Sequence, residues 1–135
     1  MAFYLADTSA WNRSVLVQDR WLAMLEGNEL ALCTPVRLEL LYSARGGADS
    51  ARFAADLGRL PHLALSTHVE RAVHRTQLAL AERGQHRGPK PIDLLIAAIA
   101  EINDVTLLHY DRHFDQIVRV TGQPAEWLAP RGSLK

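Results

Sequence analysis

The chain lacks an excess of either charge. Its 15 Lys and Arg balance 15 Asp and Glu over 135 residues, for a formal net charge of zero. This excludes a global basic field of the kind that gathers nucleic acid, so any attraction for phosphate must come from a local patch or a bound cation. There is one cysteine, Cys33, which excludes an intrachain disulfide. It lies in the apolar run LALC (30–33) and reads as a small buried hydrophobe in a reducing cytoplasm. No apolar run reaches the ~20 residues of a membrane helix. The opening MAFYLADTSAWNR has no basic leader, and its apolar stretch stops at Asp7, so it is not expected to be a signal peptide. Phosphate loops of the GxGxxG or GxxxxGK type are missing, as is a nucleophile elbow to support a Ser/His/Asp triad. Six histidines invite zinc. The only suitable pair, His109 and His113, is split by a strand-to-helix break, so helical spacing does not bring the two together.

What remains is an ordinary globular composition, 48 % hydrophobic and 22 % charged, of a length that suits one domain spanning 1–135. Strand and helix signals alternate. AFYLA (2–6) reads as a buried strand, followed by helices to about Val17 and over 19–28. ELALC (29–33) is the next strand. Thr34 then reads as a cap with Pro35 at the first helical position, opening PVRLELLYSARGG. A helix over 48–60 and a strand HLALS (62–66) come next. Thr67 is read as the cap of a long helix to Gly84. GQHRGPKP (84–91) has loop composition, and IDLLIAAIAEIN is helical. VTLLHY (105–110) is a strand, DRHFDQIVRV (111–120) a helix, and AEWLA (125–129) an edge strand. This β-α-β-α order predicts an α/β fold with a mainly parallel sheet covered by helices.

Four acids sit in unexpected company. Asp7 ends the first strand and Asp111 the fourth, and helix capping explains either one alone. Asp93 lies in the first turn of its helix, where the helix dipole favours a carboxylate by roughly 0.3–1 kcal/mol. Glu39 falls too deep to cap its helix, and its neighbours Val36, Leu38, Leu40, Leu41 and Tyr42 surround most of that helix, which predicts a largely buried element. A carboxylate there needs a partner, either Arg37, Arg45 or a cation. In a parallel α/β sheet, strand ends and the first turns of the following helices gather on one rim, where such folds bind ligands. All four acids are therefore expected to face one region if their strands are neighbours. Converging carboxylates need raised pKa values or a divalent cation, and an oxygen-only donor set favours Mg²⁺ or Mn²⁺. Two such ions would suit phosphoryl transfer.

A first strand ending in DTSAW (7–11), a Glu inside PVRLELL (35–41), then DLLIAAIA (93–100) and LLHYDRHF (107–114), taken together, resemble the PIN-domain ribonucleases, and among them the VapC-type toxins of bacterial toxin–antitoxin pairs. The resemblance covers nearly the whole chain. It implies an α/β/α sandwich on a five-stranded parallel sheet, Mg²⁺- or Mn²⁺-dependent endonuclease activity on RNA, homodimerisation, and a small antitoxin partner that blocks the site. The family's acidic set maps onto Asp7, Glu39, Asp93 and Asp111, with Asp7 and Asp93 at the positions most consistently used for metal. Thr8 and Ser9 match a hydroxyl pair beside the first acid. The chain departs from many members at His109, where Thr or Ser is common, and at His113, where a further acid is common. Asp115 is an alternative fourth acid.

Near these acids, Arg112 and the loop QHRGPK (85–90) are candidates to position an RNA backbone, or are solvated surface charges. His109 is a candidate proton shuttle or phosphate donor. Trp11 and Trp21 read as core residues, while the resemblance implies that their helices form the antitoxin groove. Three alternatives stand beside the toxin reading. The first is a PIN-like scaffold that acts through a partner without catalysis. An RNase H-type fold is disfavoured because helices follow the first strand. A haloacid-dehalogenase-like phosphatase is disfavoured because Ser9 stands where its second aspartate belongs.

Overall fold

The computed structural model describes residues 3–134. Five strands form one parallel sheet: β1 (Tyr4–Ala6), β2 (Leu30–Cys33), β3 (His62–Leu63), β4 (Thr106–His109) and β5 (Ala125–Trp127), in the order β3-β2-β1-β4-β5. Seven helices connect them: α1 (Thr8–Asn12), α2 (Gln18–Glu26), α3 (Thr34–Tyr42), α4 (Gly47–Leu57), α5 (Thr67–Glu82), α6 (Pro91–Ile102) and α7 (His113–Thr121), with a 3₁₀ turn at Ser14–Val17 between α1 and α2. None of the helices among the described residues is long and apolar enough to cross a membrane.

Strand alternation divides the core between the two faces of the sheet. Leu5, Ala31 and Leu107 point to a larger core with Val36, Leu40, Ile96, Ile99, Phe114 and Ile117 from α3, α6 and α7. Their neighbours Ala6, Leu30 and Leu108 point to a second core with Ala10, Trp21 and Met24 from α1 and α2. Both faces are covered, which is why β2 reads as a continuous apolar run with every residue buried.

The expected elements are present, with shifted ends. Part of the first predicted strand, Ala2, lies outside the described residues. The edge strands are shorter than read: β3 pairs only with the end of β2, through Leu32↔His62 and Cys33↔Leu63, so Ala64 and Leu65 continue past any partner. Cys33, not Thr34, occupies the cap position of α3, and Ser66, not Thr67, caps α5 by accepting the Val69 N–H at 3.2 Å. Helix α7 starts at His113 because Asp111 Oδ1 takes the His113 N–H at 2.9 Å, an Asp-led turn that holds the chain out of the helix for two residues.

The strand order carries the functional consequence. The chain moves from β1 outward through β2 to β3, then returns to lay β4 on the opposite side of β1. The winding therefore reverses between β1 and β4, and the crevice beyond their carboxyl ends is where open α/β sheets bind ligands.

Candidate active site

At that crevice Asp7 directly follows β1 and Asp111 lies two residues after β4. Asp7 N–H bonds Leu108 O at 3.0 Å, which fixes the two strand ends side by side. Asp7 is 3 % exposed. Its Oδ1 accepts the Ser9 hydroxyl at 2.7 Å and the Ala10 N–H at 3.2 Å, so it does cap α1, as its position suggested. The Ser9 hydroxyl in turn accepts the Tyr110 N–H at 2.8 Å, which ties the start of α1 to the residue before Asp111. Burial dominates the Asp7 carboxyl and pushes it up to about 7, with a contribution from the negative charge of Asp93 and opposition from the Ser9 and Ala10 donors.

Asp93 uses Oδ2 to accept the Lys90 N–H at 2.9 Å, the reach-back bond of a first-turn acid. It too is raised, first by desolvation and then by the charges of Asp111 and Glu39. Glu39 sits in the second turn of α3, where its Oε1 accepts the Thr8 hydroxyl at 2.5 Å. Asp93 is thus within electrostatic reach of Asp7, Glu39 and Asp111, all of which lie at the carboxyl end of the sheet. Cys33 lies beneath them, and its thiol is pushed up to about 11 by burial and by Asp7 and Glu39.

Several expectations need correction. Helix α3 is not buried all round: Leu38 is 58 % and Tyr42 91 % exposed, and Glu39 is half-buried. Neither Arg37 nor Arg45 forms an ion pair with Glu39 among the described residues; the Thr8 hydroxyl, 31 residues away in sequence, is its partner. His109 is only 1 % exposed and packs against Phe114 and Trp127, with ring centroids 5.1 and 4.9 Å away. Its Nδ1 accepts the Asp111 N–H at 3.3 Å and burial lowers its pKa, so it is a core imidazole that shapes the Asp111 turn. Asp115 accepts the Trp127 indole N–H at 3.1 Å and meets Arg131 at 3.7 Å, on the outer side of α7. Of the two acids, Asp111 is the one whose charge bears on Asp93. Trp21 is buried and Trp11 half-buried, packed edge to face at 4.9 Å.

Sequence reasoning missed the Ser9 bridge to Tyr110 because it joins residues 101 positions apart. Removing it is informative. Ser9→Ala leaves the Tyr110 N–H without its acceptor and takes a donor from Asp7, so it should cost about 1–3 kcal/mol in urea denaturation.

The donor set can be tested against a cation. Among the described residues, neither Asp7, Glu39 nor Asp93 joins an ion pair. No three His, Cys, Asp or Glu side chains among those residues form a group able to hold one ion. A donor set of one or two carboxylates suits a divalent cation that keeps several of its waters. A buried acid with a raised pKa beside a second one is a site where such a cation relieves an existing electrostatic cost.

Comparison with known proteins agrees with the architecture. Residues 4–120 match the PIN domain family. Ribonuclease VapC18 of Mycobacterium tuberculosis is 38 % identical over 135 residues, covering 97 % of this chain and 98 % of the relative. Ribonuclease VapC51 of the same organism is 36 % identical over 133 residues, with 97 % and 96 % covered. Among solved structures, DNA-bound VapBC from Salmonella typhimurium aligns with a TM-score of 0.76 at 19 % identity, over 96 % of this chain and 100 % of that one. VapBC-5 from Mycobacterium tuberculosis aligns at 0.61 and 21 %, over 93 % and 97 %. At these identities the solved structures speak to the fold.

Proposed function

The chain belongs to the PIN-domain family, and from that premise we propose that it is an endoribonuclease, the toxin of a toxin–antitoxin pair, acting in the cytoplasm as one PIN-like domain. The observation that carries the reading is the acidic cluster at the β1/β4 switch point, in a chain whose relatives across almost its full length are named ribonucleases.

Asp7 and Asp93 would hold a divalent cation, Mg²⁺ or Mn²⁺, with Glu39 and Asp111 at its edge. When bound, the cation supplies positive charge to the phosphoryl oxygens and makes water more acidic. The Ser9 hydroxyl and Ala10 N–H fix one Asp7 oxygen and leave the other to bind. Lys90 N–H does the same for Asp93. Thr8 orients Glu39, and Asp111 is oriented by His113 N–H and lies beside Arg112. Glu39 and Asp111, both partly exposed, would accept a proton from attacking water. Water would add to phosphorus as the bond to the 3′-oxygen breaks, and the leaving oxygen would take a proton from solvent, giving a 3′-hydroxyl and a 5′-phosphate.

The partner we propose is an antitoxin segment in the groove between α1 and the α3–α4 pair, lined by Trp11, Leu40 and Phe53 and flanked by exposed Leu38 and Tyr42. Exposed Leu65 and Leu78 offer apolar surface for a homodimer. The test is direct. The purified chain should cut RNA with Mg²⁺ or Mn²⁺ and stop with EDTA, and products should accept ligation at a 5′-phosphate. Cleavage that persists in EDTA would reject the metal-dependent reading.

A further inference from the structure

Beyond Asp111, the outer face of α7 carries a feature that the acidic cluster does not use. Arg112, His113, Gln116, Arg119 and Arg131 line a concave pocket of about 230 Å³ together with a single carboxylate, Asp115. The residues come from two segments. Asp115, Gln116 and Arg119 share one face of α7, and Arg112 stands at its cap position just before the first turn. Arg131 reaches in from the chain after β5, its guanidinium 5.8 Å from the Trp127 ring centre. Arg112 and Arg119 have no ion-pair partner among the described residues, and Asp115 meets Arg131 only at 3.7 Å while already held by the Trp127 indole. On a chain of zero net charge, this pocket is a local concentration of positive charge.

The basic loop 84–90 docks onto the same helix. Gly88 leaves room for Gln116: a Cβ at that glycine would stand 2.1 Å from Gln116 Oε1. Arg87 and Lys90 on the same loop are exposed, and the Lys90 N–H is held by Asp93. The pocket therefore adjoins the acidic cluster through Arg112, which follows Asp111 directly in the chain.

We propose that this pocket is a phosphate subsite for the RNA strand, in which Arg119 and Arg131, with Arg112, grip the backbone next to the scissile bond. The proposal rests on the ribonuclease reading above. Guanidinium forks match phosphate oxygens two at a time, which a surface lysine does not. Every side chain lining the pocket is polar, so it lacks the buried apolar anchor on which a protein partner would depend. Phosphate contacts position a strand without reading its sequence, so the subsite sets register and affinity and leaves the cleavage motif to other residues.

The experiment uses the full chain carrying Asp93→Asn, with binding of a fluorescent single-stranded RNA of mixed sequence measured between low and moderate salt. Adding Arg119→Ala and Arg131→Ala should weaken binding at least about tenfold at low salt. It should also flatten the log–log salt slope by about 1.4, the value for two lost phosphate contacts on a single strand. In the cleaving chain the same pair should raise KM more than it lowers kcat. Arg52→Ala, an exposed α4 residue paired with Asp49 at 2.6 Å, is the control for simple charge loss and should bind as before. Unchanged affinity and slope in the double variant overturn the subsite, as does a failure of the Asp93→Asn chain to bind RNA at all. If the double variant keeps RNA binding but loses binding to poly-glutamate, the pocket serves an acidic peptide instead. Failure of the ribonuclease reading is separate, since it appears as a wild-type chain that binds RNA and never cuts it.

Discussion

Asp93→Asn should cut RNA at least about a thousandfold more slowly than the wild type, a loss of about 4 kcal/mol of transition-state stabilisation. The substitution keeps shape and removes charge. An asparagine oxygen can still accept the Lys90 N–H, so the first turn of α6 stays capped. What is lost is the negative charge that interacts with Asp7, Glu39 and Asp111. The variant should melt no lower than the wild type without metal, because like-charge repulsion has been relieved. Single-turnover cleavage of a labelled RNA, with a melt of the same preparation, measures both. An Asp93→Asn chain that cuts at the wild-type rate would move the chemistry elsewhere. A wild-type chain that binds an antitoxin but cuts nothing would favour a non-catalytic PIN scaffold.

The second large effect concerns stability. The Asp7 carboxyl titrates near 3.8 when exposed and at about 7 in the fold. The folded protein therefore holds a proton that the unfolded chain releases across that window. Unfolding free energy should be highest below about pH 4 as far as this group is concerned, decline as pH rises toward 7, and level off above it. A shift of this size corresponds to at most about 4 kcal/mol, and relaxation around the charge should reduce it to about 1–3 kcal/mol. Asp7→Asn removes the ionisation while keeping an acceptor for Ser9 and Ala10. At pH 8 without metal it should therefore melt higher by roughly 3–10 °C, and the difference should vanish near pH 4. Mn²⁺ at a hundredfold its Kd should raise the wild-type chain by about 2.7 kcal/mol and the variant by much less. Equal melting of the two chains at pH 8, with metal shifting both alike, would remove Asp7 from the cation site.

The two predictions differ in how far the sequence supports them. Asp93 was visible as a carboxylate two residues after Pro91, opening an apolar helix, and Asp7 as the residue at which a short apolar strand stops. Both signals are local, and capping chemistry accounts for each without any neighbour. The raised pKa of Asp7 was not visible. It needs Leu108 alongside and α1 overhead to exclude water, and these come from segments 100 residues apart. His109 shows the limit most clearly. As a histidine before an acid it looked like a proton carrier, yet Phe114 and Trp127 enclose it, and β5 supplies one of those walls.

What the linear order of residues determined by itself was the alternation of elements and the parallel sheet, together with the four acids proposed for the site. Helix starts, apolar strands and glycine stops act over a few positions, so short-range chemistry suffices. Only the tertiary structure decided that β1 lies between β2 and β4, that Leu38 and Tyr42 face outward, that Thr8 reaches Glu39, and that Arg131 joins Arg112 and Arg119. Those are outcomes of packing two helical layers against a sheet, where solvent exclusion and the pairing of buried polar groups are settled between segments that no local pattern connects.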